Sequence, residues 1–205
     1  MSMDTPQIYL ITPPVIELAQ FAPLLGRLLD AQDIACLRLS LATQDEDTIL
    51  RCADGLREIA HARDIPLVIS DHLLMVERLG LDGVHLTDPG ARIRKLRDTL
   101  GAEAIIGAYC GQSRHDGISA GEAGADYVSF GPVGQTALGD GQLVEREVFE
   151  WWSEVIELPV VAEGALSVDL VEAFAPITDF FAFGDEIWGA EDPVAALTRL
   201  TAPLR

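Results

Sequence analysis

The chain has 205 residues, 49% of them hydrophobic, and carries 14 Lys and Arg against 33 Asp and Glu, a formal net charge of −19. The apolar content suffices for a sizeable core and argues against disorder. The acidic excess argues against nucleic acid as a partner, because phosphate neutralisation needs clustered cations. It also repels phosphorylated ligands at long range unless a metal or a local basic pocket reverses the field.

Short apolar runs alternate with helical patterns along the whole sequence. The first strand is predicted over residues 8–12 and runs into Thr12-Pro13-Pro14, with no glycine fingerprint. A helix follows over 16–31, then a strand over 34–40 and a helix over 45–63, which Thr43 and Glu46 would open as a capping box. Next come strand 66–71, helix 72–79, strand 83–88, helix 91–100 and strand 104–110. Residues 113–123 are interrupted by glycine and predict a short helix. Strand 127–133 leads into a glycine-rich loop over 131–141. Helix 145–156, strand 159–165, helix 167–174, strand 180–185 and helix 192–200 complete the series. The strands are near-continuously apolar, as parallel strands covered by helices are. Eight such alternations predict a single (β/α)₈ TIM barrel spanning 1–205 in preference to an open doubly wound sheet.

Cys36, Cys52 and Cys110 form no CxxC pair, so they are read as reduced thiols. The N-terminal stretch lacks a basic segment followed by a long apolar run, and no run approaches the ~20 residues that span a bilayer. A cytoplasmic location without membrane contact is the expectation. Trp151 and Trp152, read as exposed on a peripheral helix, are either packing or the contact of a homo-oligomer.

In this architecture ligands bind at the C-terminal ends of the strands. Arg38, Asp71, His85, Asp88, Glu163, Asp185 and Glu186 fall there. Charges ending apolar strands are costly unless paired or used. Asp71 reads either as a helix cap or as a metal ligand or base, and Asp88, before Pro89, as a cap or a second ligand. Together the two carboxylates would suit one Mg²⁺, which prefers oxygen donors. Arg38 is either an anion binder or the structural partner of a strand-end carboxylate such as Asp71. His85 reads as a hydrogen-bonded core residue, and His72 as the opening of a helix. His115, in the loop after the fifth strand, is either idle or a general base near neutral pH. The 131–141 loop is either a mobile surface segment or a cradle whose backbone N–H groups approach a ligand.

The order of these segments resembles the thiamine phosphate synthase and thiazole tautomerase superfamily. The resemblance runs from Tyr9 to Pro193 and is most specific at Gly83-Val84-His85-Leu86, at residues 124–132 and at residues 188–193. It implies a small-molecule substrate and, for the synthases, Mg²⁺-assisted joining of a pyrimidine diphosphate to a thiazole phosphate. On that basis Arg38, Asp71 and His115 are the candidate catalytic residues. Gly131, Thr136 and Gly164 are the candidate substrate-binding residues, and Asp71 and Asp88 the candidate metal ligands. The chain departs from the family pattern elsewhere: Cys36 and Ser40 replace a glutamine and a lysine, His72 an arginine, and Gly139 a second lysine. Glu163 precedes the position of a glycine pair, and Asp185-Glu186 replaces a Ser-Ala pair where phosphate is expected. At ~5 Å and an effective dielectric of ~20, one badly placed carboxylate opposes a unit anion by roughly 3 kcal/mol, about a hundredfold in affinity. The alternatives are therefore a thiazole tautomerase-like isomerase using His115, and a non-catalytic or repurposed barrel that binds a cationic or unphosphorylated ligand.

Overall fold

The computed structural model describes residues 5–90 and 92–205. Ala91, the predicted start of the fourth helix, and the first four residues of the N-terminal stretch lie outside the described residues. The chain runs β1 (Gln7–Ile11), α1 (Leu18–Ala31), β2 (Ile34–Leu39), α2 (Glu46–His61), β3 (Leu67–Ser70), α3 (Leu73–Leu79), β4 (Gly83–Leu86), α4 (Arg92–Leu100) and β5 (Ile105–Tyr109). It continues α5 (Arg114–Ala123), β6 (Tyr127–Phe130), α6 (Arg146–Val155), β7 (Val160–Glu163), α7 (Val168–Phe174), β8 (Phe180–Phe183), α8 (Asp185–Trp188) and α9 (Pro193–Leu200). All strand pairs are parallel, in sequential order, and β8 pairs with β1 to close the ring. This is a (β/α)₈ barrel.

Alternation along the strands sorts the side chains into two sets. Leu10, Leu37, Leu39, Ile69, Val84, Leu86, Ile106, Val128, Phe130 and Phe183 face the helices and join their apolar stripes in one core. The intervening residues Tyr9, Cys36, Val68, Tyr127, Val161 and Ala182 pack with one another inside the ring. Because helices cover the outer face, both sets are apolar, and the strands read as continuous runs. The Tyr127 ring fits inside because the neighbouring strand carries Gly107, where a Cβ would lie 2.0 Å from the ring.

The strand starts are clasped by a repeated device. Asp82, just before β4, accepts a hydrogen bond from the backbone N–H of Leu67 in β3 at 2.7 Å. Asp126, before β6, does the same for Ile106 of β5 at 2.7 Å, and Asp179, before β8, for Val160 of β7 at 2.8 Å. Part of the chain's acidity is therefore structural and sits at the end of the barrel opposite the strand C-termini.

Three local expectations are corrected. The opening of α2 is not a Thr43–Glu46 capping box: Asp45 is the N-cap and accepts from Thr48 N–H at 2.9 Å. Trp152 is not exposed. It is 1% accessible, packs edge-on against Phe130, and donates its indole N–H to the Leu158 carbonyl at 2.8 Å. The last predicted strand ends at Phe183, and Asp185 and Glu186 belong to the helical turn α8. Among the described residues, no helix is long and apolar enough to cross a membrane.

Candidate functional site

A cleft of about 450 Å³ opens at the C-terminal ends of β1, β2, β7 and β8. Thr12, Arg38, Ser40, Thr136, Glu163 and Gly164 contribute to its wall, with Asp185 and Glu186 at its rim. Inward-facing positions on the strands supply Arg38 and Glu163, the loops supply Thr12, Ser40, Thr136 and Gly164, and α8 supplies the two rim acids. Arg38 is the one cation among the described residues lining it.

Arg38 and Glu163 are both buried, at 6% and 2% exposure, and form an ion pair at 2.8 Å. The second oxygen of Glu163 accepts from the Ser129 hydroxyl at 2.9 Å. The guanidinium also lies over the Tyr9 ring, 5.8 Å from its centroid. Burial by itself would pull the Arg38 pKa down, but the charge of Glu163, with Tyr9 and Tyr127 behind it, holds it above the usual arginine value. The partner of Arg38 is thus Glu163 and not Asp71. Glu163, expected among the acids that repel an anion, is neutralised by this pairing.

Below the pair, the interior carries a polar chain. Tyr9 and Tyr127 share a hydroxyl–hydroxyl hydrogen bond of 2.7 Å, and the Tyr127 hydroxyl meets His85 Nδ1 at 2.9 Å. His85 is 1% exposed, as a core histidine is. Burial first, and the charge of Arg38 second, push its pKa well below that of free histidine, so the imidazole is neutral. Burial likewise pushes both tyrosines well above the usual range. These groups are structural donors and acceptors, not titrating acids at neutral pH.

The glycine-rich loop after β6 is held to the end of β7. Val133 N–H donates to the Glu163 carbonyl at 3.0 Å and Gly134 N–H to the Gly164 carbonyl at 2.8 Å. A Cβ at Gly134 would lie 2.2 Å from the Ala165 carbonyl oxygen, and one at Gly131 2.5 Å from that of Glu163. The loop is consequently a wall of the cleft, and it brings Thr136 into the lining to which Arg38 and Gly164 also belong.

Asp71 stands apart from this group. Its φ is 58°, it accepts from the Thr87 N–H at 3.1 Å and from the Thr87 hydroxyl, and Arg92 approaches to 3.8 Å. Asp71 does not cap α3, which His72 opens without a side-chain cap. Asp88 lines a second cleft with Tyr109, Cys110 and Asp116. There burial pushes the Cys110 thiol up to about 12, so it is a protonated thiol and no nucleophile at neutral pH. His115 is not in a loop. Ser113 caps α5 by accepting from Asp116 N–H at 3.1 Å, and His115 is exposed in the first turn, outside the set of residues lining the mouth cleft. Among the described residues, no group of three or more His, Cys, Asp or Glu is arranged to hold a metal.

Two contacts were not visible in the sequence. Ser129 meets Glu163 because both point inward, which the period of two in β6 and β7 could have indicated. Glu186 turns back onto the backbone, accepting from Leu166 N–H at 2.9 Å and from Gly184 N–H at 2.7 Å, and no local pattern encodes that.

Fold and site together define a parallel (β/α)₈ barrel with a polar small-molecule cleft at the mouth. The family model described as thiamine monophosphate synthase matches residues 8–178. The chain is 38% identical to a thiamine-phosphate synthase of Rhodospirillum centenum over 97% of this chain and 98% of that protein. It is 36% identical to one from Erythrobacter litoralis over 92% and 91%. The solved structure of a thiamine phosphate pyrophosphorylase from Pyrococcus furiosus superposes with a TM-score of 0.81 at 22% identity, covering 97% of this chain and 95% of that one. The chain belongs to the thiamine monophosphate synthase family.

Proposed function

We propose that this chain is a transferase of the thiamine phosphate synthase type, joining a pyrimidine diphosphate to a thiazole phosphate. The observation that carries the reading is the cleft that gathers Arg38, Ser40, Thr136 and Gly164 at one barrel mouth in a chain of this family. In such a reaction the bond from the pyrimidine methylene to the diphosphate oxygen breaks, diphosphate leaves with the electron pair, and the thiazole nitrogen closes onto the resulting cation. The protein's contribution is to position the two heterocycles and to supply fixed dipoles where charge develops. Ser40 and Thr136 offer hydroxyls at the cleft. The Arg38–Glu163 pair ties β2 to β7 across the barrel interior and adds no net charge to the wall. Hydrophobic walls from Ile11 and Leu138 limit water near the cation.

Mg²⁺ commonly binds through one or two carboxylates plus substrate phosphates. Asp71 can supply such a carboxylate: Thr87 engages one lone pair on each of its oxygens, Arg92 stands 3.8 Å from Oδ1, and the second lone pairs are left for an ion. It is the residue that would hold the ion, with Asp88 as the second carboxylate. Bound there, Mg²⁺ would neutralise the leaving diphosphate. On this reading the partners are small molecules, and the site of action is the cytoplasm. The isomerase alternative gains no support, since its base, His115, is exposed on α5.

The test is to incubate the purified chain with both phosphorylated precursors and Mg²⁺ and to measure thiamine phosphate and diphosphate together. Equimolar formation of both, lost in Asp71→Ala, is expected. No product at any Mg²⁺ concentration would overturn the reading. Metal-independent isomerisation of the thiazole, abolished by His115→Ala, would replace it.

A further inference from the structure

The cleft's rim carries a feature that the transfer reaction alone does not require. Glu186 is half-buried, and both its carboxylate oxygens are used on backbone amides: Oε1 accepts from Leu166 N–H at 2.9 Å, and Oε2 from Gly184 N–H at 2.7 Å. The two donors come from different segments, one after β7 and one after β8. They converge on one anionic group, and that group is covalently part of the chain. In parallel barrels these two segments are where a ligand phosphate is held by backbone N–H groups. Hydrogen bonds to an ionised acceptor are about twice as strong as neutral ones, so a carboxylate is a serious competitor for the place.

We propose that Glu186 is a specificity-determining residue: its carboxylate is a built-in anion seated on the Leu166 and Gly184 amides, the donors that would otherwise receive a substrate phosphoryl group. The identity of the ligand rests on the transferase reading above, in which the acceptor is a phosphorylated thiazole. A phosphoryl group entering this seat must displace Glu186 and then lie beside a carboxylate that has lost its own donors. Arg38 gives no relief, because Glu163 holds it at 2.8 Å. Asp185, exposed at the same rim, adds to the repulsion. A ligand presenting a neutral hydroxyl at this end meets no such barrier: a hydroxyl can donate to Glu186 where it sits. The chain therefore lacks the preference for the phosphate ester over the free alcohol that an open pair of amides would give its acceptor site, and Glu186 is the cause.

The experiment compares the full-length chain with Glu186→Ala and Glu186→Gln. Inorganic phosphate is titrated calorimetrically into each, and turnover is measured with the thiazole phosphate and with its dephosphorylated alcohol. Removing the charge in Glu186→Ala is expected to tighten phosphate on the order of a hundredfold. Glu186→Gln, which keeps one acceptor and loses the charge, should fall between. KM for the phosphate ester drops in step, and KM for the alcohol does not. Equal phosphate affinity in wild type and Glu186→Ala overturns the inference, as does an unchanged ratio of kcat/KM between ester and alcohol. If Glu186→Ala does not fold, Glu186→Gln decides by the same criteria. Gain of phosphate affinity without turnover in any form upholds Glu186 as the seat's occupant and removes the transferase reading. Turnover with KM values indifferent to Glu186 does the reverse.

Discussion

Arg38 and Glu163, on β2 and β7 and 125 residues apart in sequence, meet inside the barrel with 2.8 Å between guanidinium nitrogen and carboxylate oxygen. Neither strand neighbours the other in the ring, so the pair spans the interior. Each charge is desolvated, and each is tolerable only because of the other. Removing one partner strands a buried charge, which typically costs 3–5 kcal/mol, whereas replacing both with apolar residues of similar volume is often neutral. Glu163→Ala is therefore expected to lower unfolding free energy by about 3–5 kcal/mol, and the double variant Arg38→Met, Glu163→Leu to regain most of it. Denaturant melts of the three proteins decide this. A Glu163→Ala loss of about 1 kcal/mol or less would mean that Arg38 has another partner.

His85 predicts a pH dependence of stability. Burial, and then Arg38, hold its pKa well below the free value in the fold. Unfolding restores a value near 6.5, so below that pH the unfolded chain binds a proton that the native chain does not. Stability then falls as pH drops, by up to about 1.4 kcal/mol per pH unit from this group, and the contribution is level above pH ~7. Replacing the imidazole in His85→Asn should flatten the melting-temperature profile between pH ~6.5 and pH ~5 relative to wild type, whatever its effect at neutral pH. Profiles that run parallel would show that His85 takes up its proton in the native state.

The ring of strands was legible because each strand is covered on both faces and reads as an uninterrupted apolar run. Strand ends were less so. The run of β8 continues through Gly184 with no local break, yet the chain turns into α8 there. Thr43, Asp45 and Glu46 all suit a helix opening, and which of them caps depends on geometry that composition does not carry. The site was legible as a set of strand-end residues but not as a set of contacts. That Arg38 chooses Glu163 over Asp71 follows from facing positions in the closed ring, which requires the ring's register. In the sequence Glu186 reads as a repulsive charge, because its two backbone donors come from segments 20 and two residues away. In the fold it is an anion already satisfied.

Gly134 ties the loop after β6 to the loop after β7. A Cβ there would lie 2.2 Å from the Ala165 carbonyl oxygen, a backbone atom with no rotamer to yield. Gly134→Ala must push the loop off β7 and break the hydrogen bond from Gly134 N–H to the Gly164 carbonyl. The cost is expected at about 1–3 kcal/mol of stability. The loop also carries Thr136, so the displacement should raise KM more than it lowers the melting temperature would suggest. Gly141→Ala, in the same loop, puts its Cβ no nearer than 3.4 Å to any atom but adds the strain of a φ of 76° that Gly134 does not have, so it reports strain in the loop without the clash on the segment after β7. Equal KM values for the two variants would show that the contact with β7 does not position the cleft wall.

The three aspartates at the strand starts give the opposite expectation. Asp82, Asp126 and Asp179 each accept a strand N–H at 2.7–2.8 Å at the end of the barrel away from the cleft. Asp126 is further held by Arg97 at 2.5 Å and Asp82 by His61 at 2.7 Å. Substitution by alanine leaves a part-buried N–H without its acceptor, at about 1–3 kcal/mol each. The three sites clasp different strand pairs and share no partner, so their losses should add within about 0.5 kcal/mol. Because ligands in this architecture bind at the other end, kcat and KM should stay at wild-type values wherever the variant is folded. Asp179→Ala is the cleanest case, since Asp179 has no ion-pair partner among the described residues and its change reports the strand clasp alone. A fall in kcat for Asp179→Ala at temperatures well below its melting transition would show that the register of β7, and with it the placement of Glu163, is set from the bottom of the barrel.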